Sequence, residues 1–344
     1  MTIHYFIPDW DDRVDPNYDF LTDQHTVGRQ PYRDDRYAHE LYGTAPYDGI
    51  LVSRAVLDDN PTKRSIIQET GRVHTYLRLP QDRPYQVMGD CGAFSYWKQA
   101  NPPYETADML DYYADAGFDL GVSIDHLIFT DDATERERRW HLTRDNAREF
   151  LRLYRQRSYR FTPIGVAQGW DPPSYQRAVR ELIAMGYHHI AIGGLARSPN
   201  KQIIQVLTAV QQVLQPRIAV HLFGVSRPEQ TPLFMQLGIT SFDSASRLRK
   251  AWTDDRKNYY LDEQAFTALR IRDAHRVAKE QGVDAATAIQ QEQAALTTLR
   301  AYDRGVVTLE ETFAALLAYA ELSGSLTERM QEEYRRTLRA KPWQ

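Results

Sequence analysis

The sequence predicts an α/β fold, a TIM-type (β/α)8 barrel followed by a helical C-terminal region. Three observations predict it. There are eight short apolar runs, most of which run straight into Asp, Gly, Ser or Gln, helix-compatible stretches lie between many of them, and the strand signals stop after about Thr253. Alternating strands and helices belong to α/β architectures, and eight strands favour closure into a barrel. An open doubly wound sheet is the alternative, because strand counts read from sequence are uncertain by one or two.

In chain order the strands are His4–Pro8, Gly49–Ser53, Gln86–Asp90, Leu120–Asp125, Pro163–Gln168, His189–Gly194, Ala219–Val225 and Ser241–Ser244. Most are rich in Val, Ile or Phe, the pattern of parallel strands buried on both faces. Thr106–Ala116, Arg144–Arg155, Pro173–Met185, Asn200–Leu214 and Arg227–Leu237 carry apolar residues at three- and four-residue spacing and read as helices. Pro172, Pro173 and Pro228 stand near helix starts, where a missing N–H costs little, and Gly117, Gly186 and Gly238 stand where helices should stop. The segment 9–47 is crowded with Asp, Arg, Tyr and His and has little periodicity, so it reads as an irregular loop, either a lid over a site or a surface insertion. Beyond Thr253, Leu261–Gln281, Asp284–Arg304, Leu309–Gly324 and Leu326–Ala340 are Ala-, Leu-, Glu- and Arg-rich and read as four helices punctuated by Gly282, Gly305 and Gly324. The expected domains are therefore a barrel over 1–253, including the loop segment 9–47, and a helical region over 254–344.

Bulk composition narrows the function classes. With 344 residues, 42% hydrophobic and 26% charged, the chain is an ordinary globular protein of barrel size. It has no apolar run of bilayer-spanning length, and Met1–Asp12 lacks the features of a signal peptide, so a cytoplasmic protein without membrane contact is expected. A single cysteine, Cys91, excludes an intramolecular disulfide and a multi-thiolate zinc site. Ten histidines leave a His/Asp metal site arithmetically open, although no familiar helical pair of metal ligands occurs. No metal and no cofactor is expected. A net charge of -4 gives no global signature of nucleic-acid binding.

In a barrel the reactive residues gather at the C-terminal strand ends. Here those ends present Ser53, Asp90, Asp125, Gln168, Gly193, Gly194 and Asp243. Three carboxylates at one mouth repel one another unless a proton or a ligand separates their charges, an arrangement that suits acid–base chemistry. Strand-end caps and ion-pair partners are the structural alternative.

The motifs at these ends resemble those of the tRNA-guanine transglycosylase family. Gly89-Asp90-Cys91-Gly92-Ala93-Phe94 resembles its Asp-Ser-Gly-Gly-aromatic signature, and Gly165-Val166-Ala167-Gln168-Gly169 its Gly-Ile-Val-Gln-Gly strand. Ala191-Ile192-Gly193-Gly194-Leu195-Ala196 is nearly identical to its Ala-Ile-Gly-Gly-Leu-Ala loop. Leu222-Phe223-Gly224-Val225 and Gly238-Ile239-Thr240-Ser241-Phe242-Asp243 are similar to its Leu-Met-Gly-Val and Gly-Ile-Asp-x-Phe-Asp segments. The family's tRNA-acting members carry a zinc subdomain of three cysteines and a histidine, which this chain cannot build, so no zinc subdomain is expected. The stretch Ile7-Pro8-Asp9-Trp10-Asp11-Asp12-Arg13-Val14-Asp15-Pro16 has no counterpart in those enzymes and resembles the family's DNA-acting branch, which inserts a 7-deazaguanine into DNA.

The resemblance implies a base exchange in two displacements, with Asp243 as nucleophile and Asp90 as general acid and base. It implies that Asp125 accepts from the base's N1–H and amine, that Gln168 assists at the O6 and five-membered-ring side, that backbone N–H groups of Gly194 or Leu195 donate to O6, and that Gly169 and Gly193 belong to the same base pocket. Phe94 and Phe223 would sandwich the base. The implied partners are DNA, or alternatively tRNA, and a 7-deazaguanine base, with 7-cyano-7-deazaguanine (preQ0) expected from the DNA-acting branch. An ATP-hydrolysing helper protein that opens the duplex is a further implied partner. Because the target nucleotide must be flipped or single-stranded, phosphates need a local basic surface, and Arg247, Arg249 and Lys250 with Arg197 and Lys201 are the candidates, or else simply solvated helix starts. The alternatives are a zinc-free enzyme acting on tRNA, a non-catalytic subunit that presents nucleic acid, and a hydrolytic N-glycosidase.

Overall fold

The computed structural model describes residues 2–344 except 11, 12, 20, 21, 23, 43, 81–83, 255, 263 and 325; for residues 247 and 252 it describes the backbone alone. The chain divides into two compact units, Met1–Ala245 and Ser246–Gln344, with the helix Ser246–Thr253 counted in the second.

Eight parallel strands form a closed barrel in the first unit: β1 (His4–Pro8), β2 (Gly49–Ser53), β3 (Gln86–Asp90), β4 (Leu120–Val122), β5 (Thr162–Ala167), β6 (His189–Ile192), β7 (Ala219–Leu222) and β8 (Ser241–Asp243). Each pairs with its sequence neighbours, and β1 closes the ring by pairing with β8 as well as with β2. The predicted strands β4 to β8 are slightly shorter at their C-terminal ends than the apolar runs. Hydrogen bonding continues past the last ladder residues, since Ser123 N donates to Ile164 O at 2.9 Å and Gly193 N to Ala167 O at 3.1 Å. The chain thus stays in register while Asp125, Gln168 and Gly193 turn out of the sheet.

Side-chain alternation divides the core. Phe6, Leu51, Met88, Leu120, Val122, Ile164 and Val166 fill the barrel interior, while Ile50, Val52 and Val87 face the surrounding helices. Inward packing beneath the mouth makes the barrel a solid floor for the polar residues above it.

The helix read as Arg144–Arg155 runs from Ala133 to Arg157. Asp132 caps it by accepting from Glu135 N at 2.7 Å, and Trp140, Thr143, Ala147, Phe150 and Leu151 supply its buried stripe. Its first turns, rich in Arg and Glu, carry little apolar signal, which is why the sequence pattern starts it late. Between β2 and β3, where no helix was expected, three short helices lie at Arg54–Asp58, Pro61–Thr70 and Val73–Leu77. The segment 9–47 is less irregular than expected. Arg13–Val14 pairs antiparallel with Arg36–Tyr37, and a short helix spans Ala38–Leu41. No helix among the described residues is long and apolar enough to cross a membrane.

The second unit contains the expected helices Ala285–Asp303, Leu309–Leu322 and Glu328–Ala340. The stretch Leu261–Gln281, read as one helix, corrects to a hairpin strand and a short helix. Tyr259–Leu261 pairs antiparallel with Gln264–Phe266, and helix begins only at Ala274, where Asp273 caps Arg276 N at 2.8 Å. Aromatic residues at Tyr259, Tyr260 and Phe266 favour strand pairing over helix, and a cap at Asp273 fixes a late start. Val277, Phe313, Tyr319 and Leu338 belong to this unit's own core.

Candidate active site

The C-terminal ends of the strands surround a cavity of about 530 Å3. Asp90 from the end of β3, Asp125 beyond β4, Gln168 beyond β5, Gly193 and Gly194 beyond β6, Phe223 beyond β7 and Asp243 from the end of β8 all line it, with Phe94 at its rim. Six strands thus contribute to one mouth, as barrel geometry requires of residues that follow strand ends.

On one arc the polar groups are tied together. Gln168 Nε2 donates to Asp125 Oδ2 at 2.6 Å, and the Cys91 thiol donates to Asp125 Oδ1 at 3.2 Å. The Tyr96 hydroxyl sits 2.9 Å from the Asp125 carbonyl and 3.0 Å from Cys91 Sγ. Burial raises the Asp125 carboxyl above its ordinary value, and the Gln168 and Cys91 hydrogen bonds oppose that rise. Each carboxylate oxygen is thus held by a neighbouring side chain while the residue lines the cavity. Gln168 Oε1 is buried and has no hydrogen-bond partner among the described residues. Glycine is required beside it. A Cβ on Gly193 would lie 2.3 Å from Gln168 Nε2, and one on Gly194, whose φ is +80°, 2.8 Å from Oε1.

The opposite arc is arranged otherwise. Gly224 N donates to Asp243 Oδ1 at 2.9 Å, and His221 Nε2 lies 3.1 Å from the same oxygen. The other ring nitrogen of His221, Nδ1, is 2.9 Å from Ser241 Oγ. A Ser241 hydroxyl that donates to Nδ1 leaves the proton on Nε2, so both donors load Oδ1 and neither engages Oδ2. His221 is fully buried, edge-on to Phe6 and Phe223. Asp90 is half-buried at the cavity wall. Burial first, then the negative charges of Asp125 and Asp243, push its carboxyl up to about 7, against the pull of the Gly92 N–H. Near neutral pH this group exists in both protonation states, the condition under which one carboxyl can give and take a proton.

Not every expected residue reaches this cavity. Gly169, Leu195 and Arg197 line a neighbouring one of about 430 Å3. The space beside the Gly169 Cα is filled by Ser174 and Tyr175, so its small size serves packing. Lys201 is exposed in the first turn of the helix Asn200–Gln211. Arg249 and Lys250 are exposed on the helix Ser246–Thr253 of the second unit, and the Arg247 side chain lies outside the description. The sequence reading did not single out Trp10, which lines the cavity, nor His221 and the Cys91–Tyr96 pair, which contact Asp243 and Asp125. Period-two spacing could have found His221, which lies two residues before Phe223 and so points to the same face.

The described residues able to hold a metal together are Asp90, Cys91 and Asp125, whose ligand atoms lie within 4.8 Å of one another. In this structure the Cys91 thiol donates to Asp125 Oδ1 and lies 3.0 Å from the Tyr96 hydroxyl, so these side chains are tied together by hydrogen bonds. The zinc element of three cysteines and a histidine needs more thiols than the one cysteine of this chain.

Comparison with known proteins places this geometry in context. The family model described as queuine tRNA-ribosyltransferase matches residues 48–286. A protein of Salmonella montevideo named DNA-guanine transglycosylase is 38% identical over 99% of this chain and 87% of its own length. Proteins named tRNA-guanine(15) transglycosylase from Methanopyrus kandleri and Thermococcus kodakarensis are 26% and 28% identical over 58% and 57% of the chain. The matches span 43% and 33% of those two proteins, less than half of either.

Proposed function

The chain belongs to the queuine tRNA-ribosyltransferase family, and from that premise we propose that it exchanges guanine in DNA for a 7-deazaguanine, the 7-cyano form (preQ0) being the expected one, through a covalent bond between Asp243 and the sugar. It is a transglycosylase. The observation that carries the finer reading is the meeting of Asp90, Asp125, Gln168 and Asp243 on one cavity. DNA as the acceptor is supported by the likeness to the Salmonella montevideo protein, which runs through nearly the whole chain.

The chemistry follows from the two arcs. Asp125 and Gln168 hold the edge of the purine, with Phe94 and Phe223 against its faces. Asp243 Oδ2, the oxygen to which no described residue donates, attacks C1′. The C1′–N9 bond breaks, its electron pair leaves with guanine, and Asp90 delivers the proton that neutralises the departing base. Two hydrogen bonds on Oδ1 keep the carboxylate from rotating while the oxocarbenium-like transition state forms. The incoming base then loses a proton to the Asp90 carboxylate as its nitrogen attacks C1′ and displaces Asp243. Two inversions return the original configuration. A carboxyl held near 7 serves both half-reactions, as an acid in the first and a base in the second.

The test is incorporation of labelled 7-cyano-7-deazaguanine into DNA by the wild type and by Asp243→Asn. Incorporation should fall by at least about 10^3-fold while oligonucleotide binding stays close to wild type. Unchanged incorporation by the variant refutes the nucleophile. Incorporation into a tRNA but not into DNA favours the second reading, a zinc-free enzyme acting on tRNA, for which the tRNA-guanine(15) transglycosylase relatives speak. Binding of DNA without any exchange or guanine release favours a presenting subunit, and release without incorporation a hydrolase. Whether an ATP-hydrolysing helper opens the duplex is read by adding such a protein to a reaction on double-stranded DNA.

A further inference from the structure

The arrangement of strands around the cavity fixes where a nucleic-acid strand must run. This rests on the reading above, in which the sugar lies between Asp243 and Asp90. Those residues end β8 and β3, and the arc that joins them is β1 and β2, since β8 pairs with β1, β1 with β2 and β2 with β3. The other arc, beyond β4 to β6, takes the base edge through Asp125, Gln168 and Gly193. A base held by its edge there turns its sugar towards β1 and β2, and the phosphodiester chain on both sides of that sugar passes over their rim.

The rim on that arc is apolar. Trp10, two residues beyond β1, is 47% exposed; Val56, three beyond β2, is 44% exposed; and Phe94, four beyond β3, is 49% exposed. All three line the cavity. Among the described residues that line it there is no lysine or arginine.

Trp10 stands between firmly anchored neighbours. Asp9 N donates to Leu51 O at 2.8 Å, and the Asp9 carboxylate lies 3.8 Å from the ammonium of Lys63, both side chains almost wholly buried. On the other side, the Arg13 guanidinium lies 4.0, 4.9 and 5.1 Å from the ring centres of Tyr37, Tyr76 and Tyr32, and Arg13 Nη1 donates to Tyr32 O at 3.0 Å. The indole is thus presented, about half exposed, at the rim of the cavity. An aromatic ring with an exposed face at a cavity mouth offers a surface on which a flat ligand stacks.

We infer that Trp10 is the stacking platform for a base adjacent to the target nucleotide on the same strand, with Val56 and Phe94 completing the apolar rim beneath it. The ligand class is a single-stranded or locally unpaired nucleic-acid segment. Its contact here is with the faces of bases and not with phosphates, so the site tolerates different sequences.

The test uses a single-stranded oligodeoxynucleotide with one target guanine, and a second oligonucleotide of the same length whose two nucleotides flanking the target are abasic. Trp10→Ala should raise KM on the first by about tenfold, and Trp10→Phe should restore most of it. On the abasic-flanked oligonucleotide the difference between wild type and Trp10→Ala should vanish. A 2-aminopurine placed next to the target should be quenched on binding to the wild type and remain bright with Trp10→Ala. If Trp10→Ala leaves KM and quenching unchanged, or weakens both oligonucleotides equally, the platform is refuted. That failure is separable from failure of the base-exchange reading, because the wild type would still incorporate the labelled base and Asp243→Asn would not. Coincident thermal melting of wild type and Trp10→Ala shows that the half-exposed side chain is dispensable for folding.

Discussion

Asp125 and Asp243 are both buried carboxylates at strand ends of one barrel, yet their surroundings differ in kind. Around Asp125 each oxygen is already held by a neighbour, Gln168 on one and Cys91 on the other. Around Asp243 both donors, Gly224 N and His221 Nε2, fall on Oδ1. A carboxylate restrained on both oxygens reads hydrogen-bond donors at fixed angles, whereas one restrained on a single oxygen keeps a lone pair ready to form a bond. Asp90 differs from both, since its defining property is a proton affinity near neutrality. The same residue type thus stands in three different environments, and burial and partners, not identity, set what a carboxyl can do.

Perturbing each carboxylate in turn should separate the arcs, beyond the loss expected of Asp243→Asn. Asp90→Asn should lower exchange by about 10^2 to 10^4-fold, the span of general acid–base catalysis. In the wild type, single-turnover guanine release should fall as pH rises through about 7, because only the protonated acid delivers the proton. A flat pH profile between 6 and 8 would remove Asp90 from that role. Stability carries the opposite test. The folded carboxyl binds its proton more tightly than the unfolded one, so its contribution is favourable below the unfolded value of 3.8, declines as pH rises towards about 7, and stays low above it. Asp90→Asn should therefore stabilise the protein at pH 8 relative to pH 4, by on the order of 2 kcal/mol once water in the cavity is allowed for. Paired thermal melts at the two pH values read it.

Asp125→Ala should act on the other arc, weakening discrimination between guanine-like bases and others by about 10 to 100-fold, mostly in KM. Competition between labelled guanine-type bases and adenine measures this, and unchanged preference would break the division of labour. The smallest effect is expected at His221. His221→Phe keeps an aromatic ring but removes the donor on Oδ1, and should lower kcat by about tenfold with little change in KM, while His221→Gln restores part of the rate. Equal losses in both variants would mean that the ring merely packs.

Much of this was legible in the linear chain, and the reasons can be traced to particular residues. The strands β1, β2 and β3 were bounded correctly because their apolar runs stop abruptly at Pro8, Ser53 and Asp90. The long helix Ala133–Arg157 started too late because Glu and Arg in its first turns carry no apolar stripe. The Tyr259–Phe266 hairpin was hidden in a stretch whose overall composition resembles helix. In the cavity, the meeting of Asp90, Asp125, Gln168 and Asp243 was legible because each stands at or just beyond the C-terminal end of a barrel strand. Cys91, Tyr96 and His221 were not, because each acts by touching a residue brought close only by folding.

By itself the sequence determined the eight strands and the identity of the polar groups at their ends, since hydrophobic period and strand-end polarity are local properties of the chain, while closure into a barrel rests on the pairing of β1 with β8. Tertiary structure decided how those groups are used. Which oxygen of Asp243 stays free, which neighbour fixes Asp125, how far burial raises Asp90 and where Trp10 is presented all depend on atoms that lie far apart in the chain. Hydrogen bonds and desolvation depend on distances of a few ångströms, and such distances exist only once the barrel has closed.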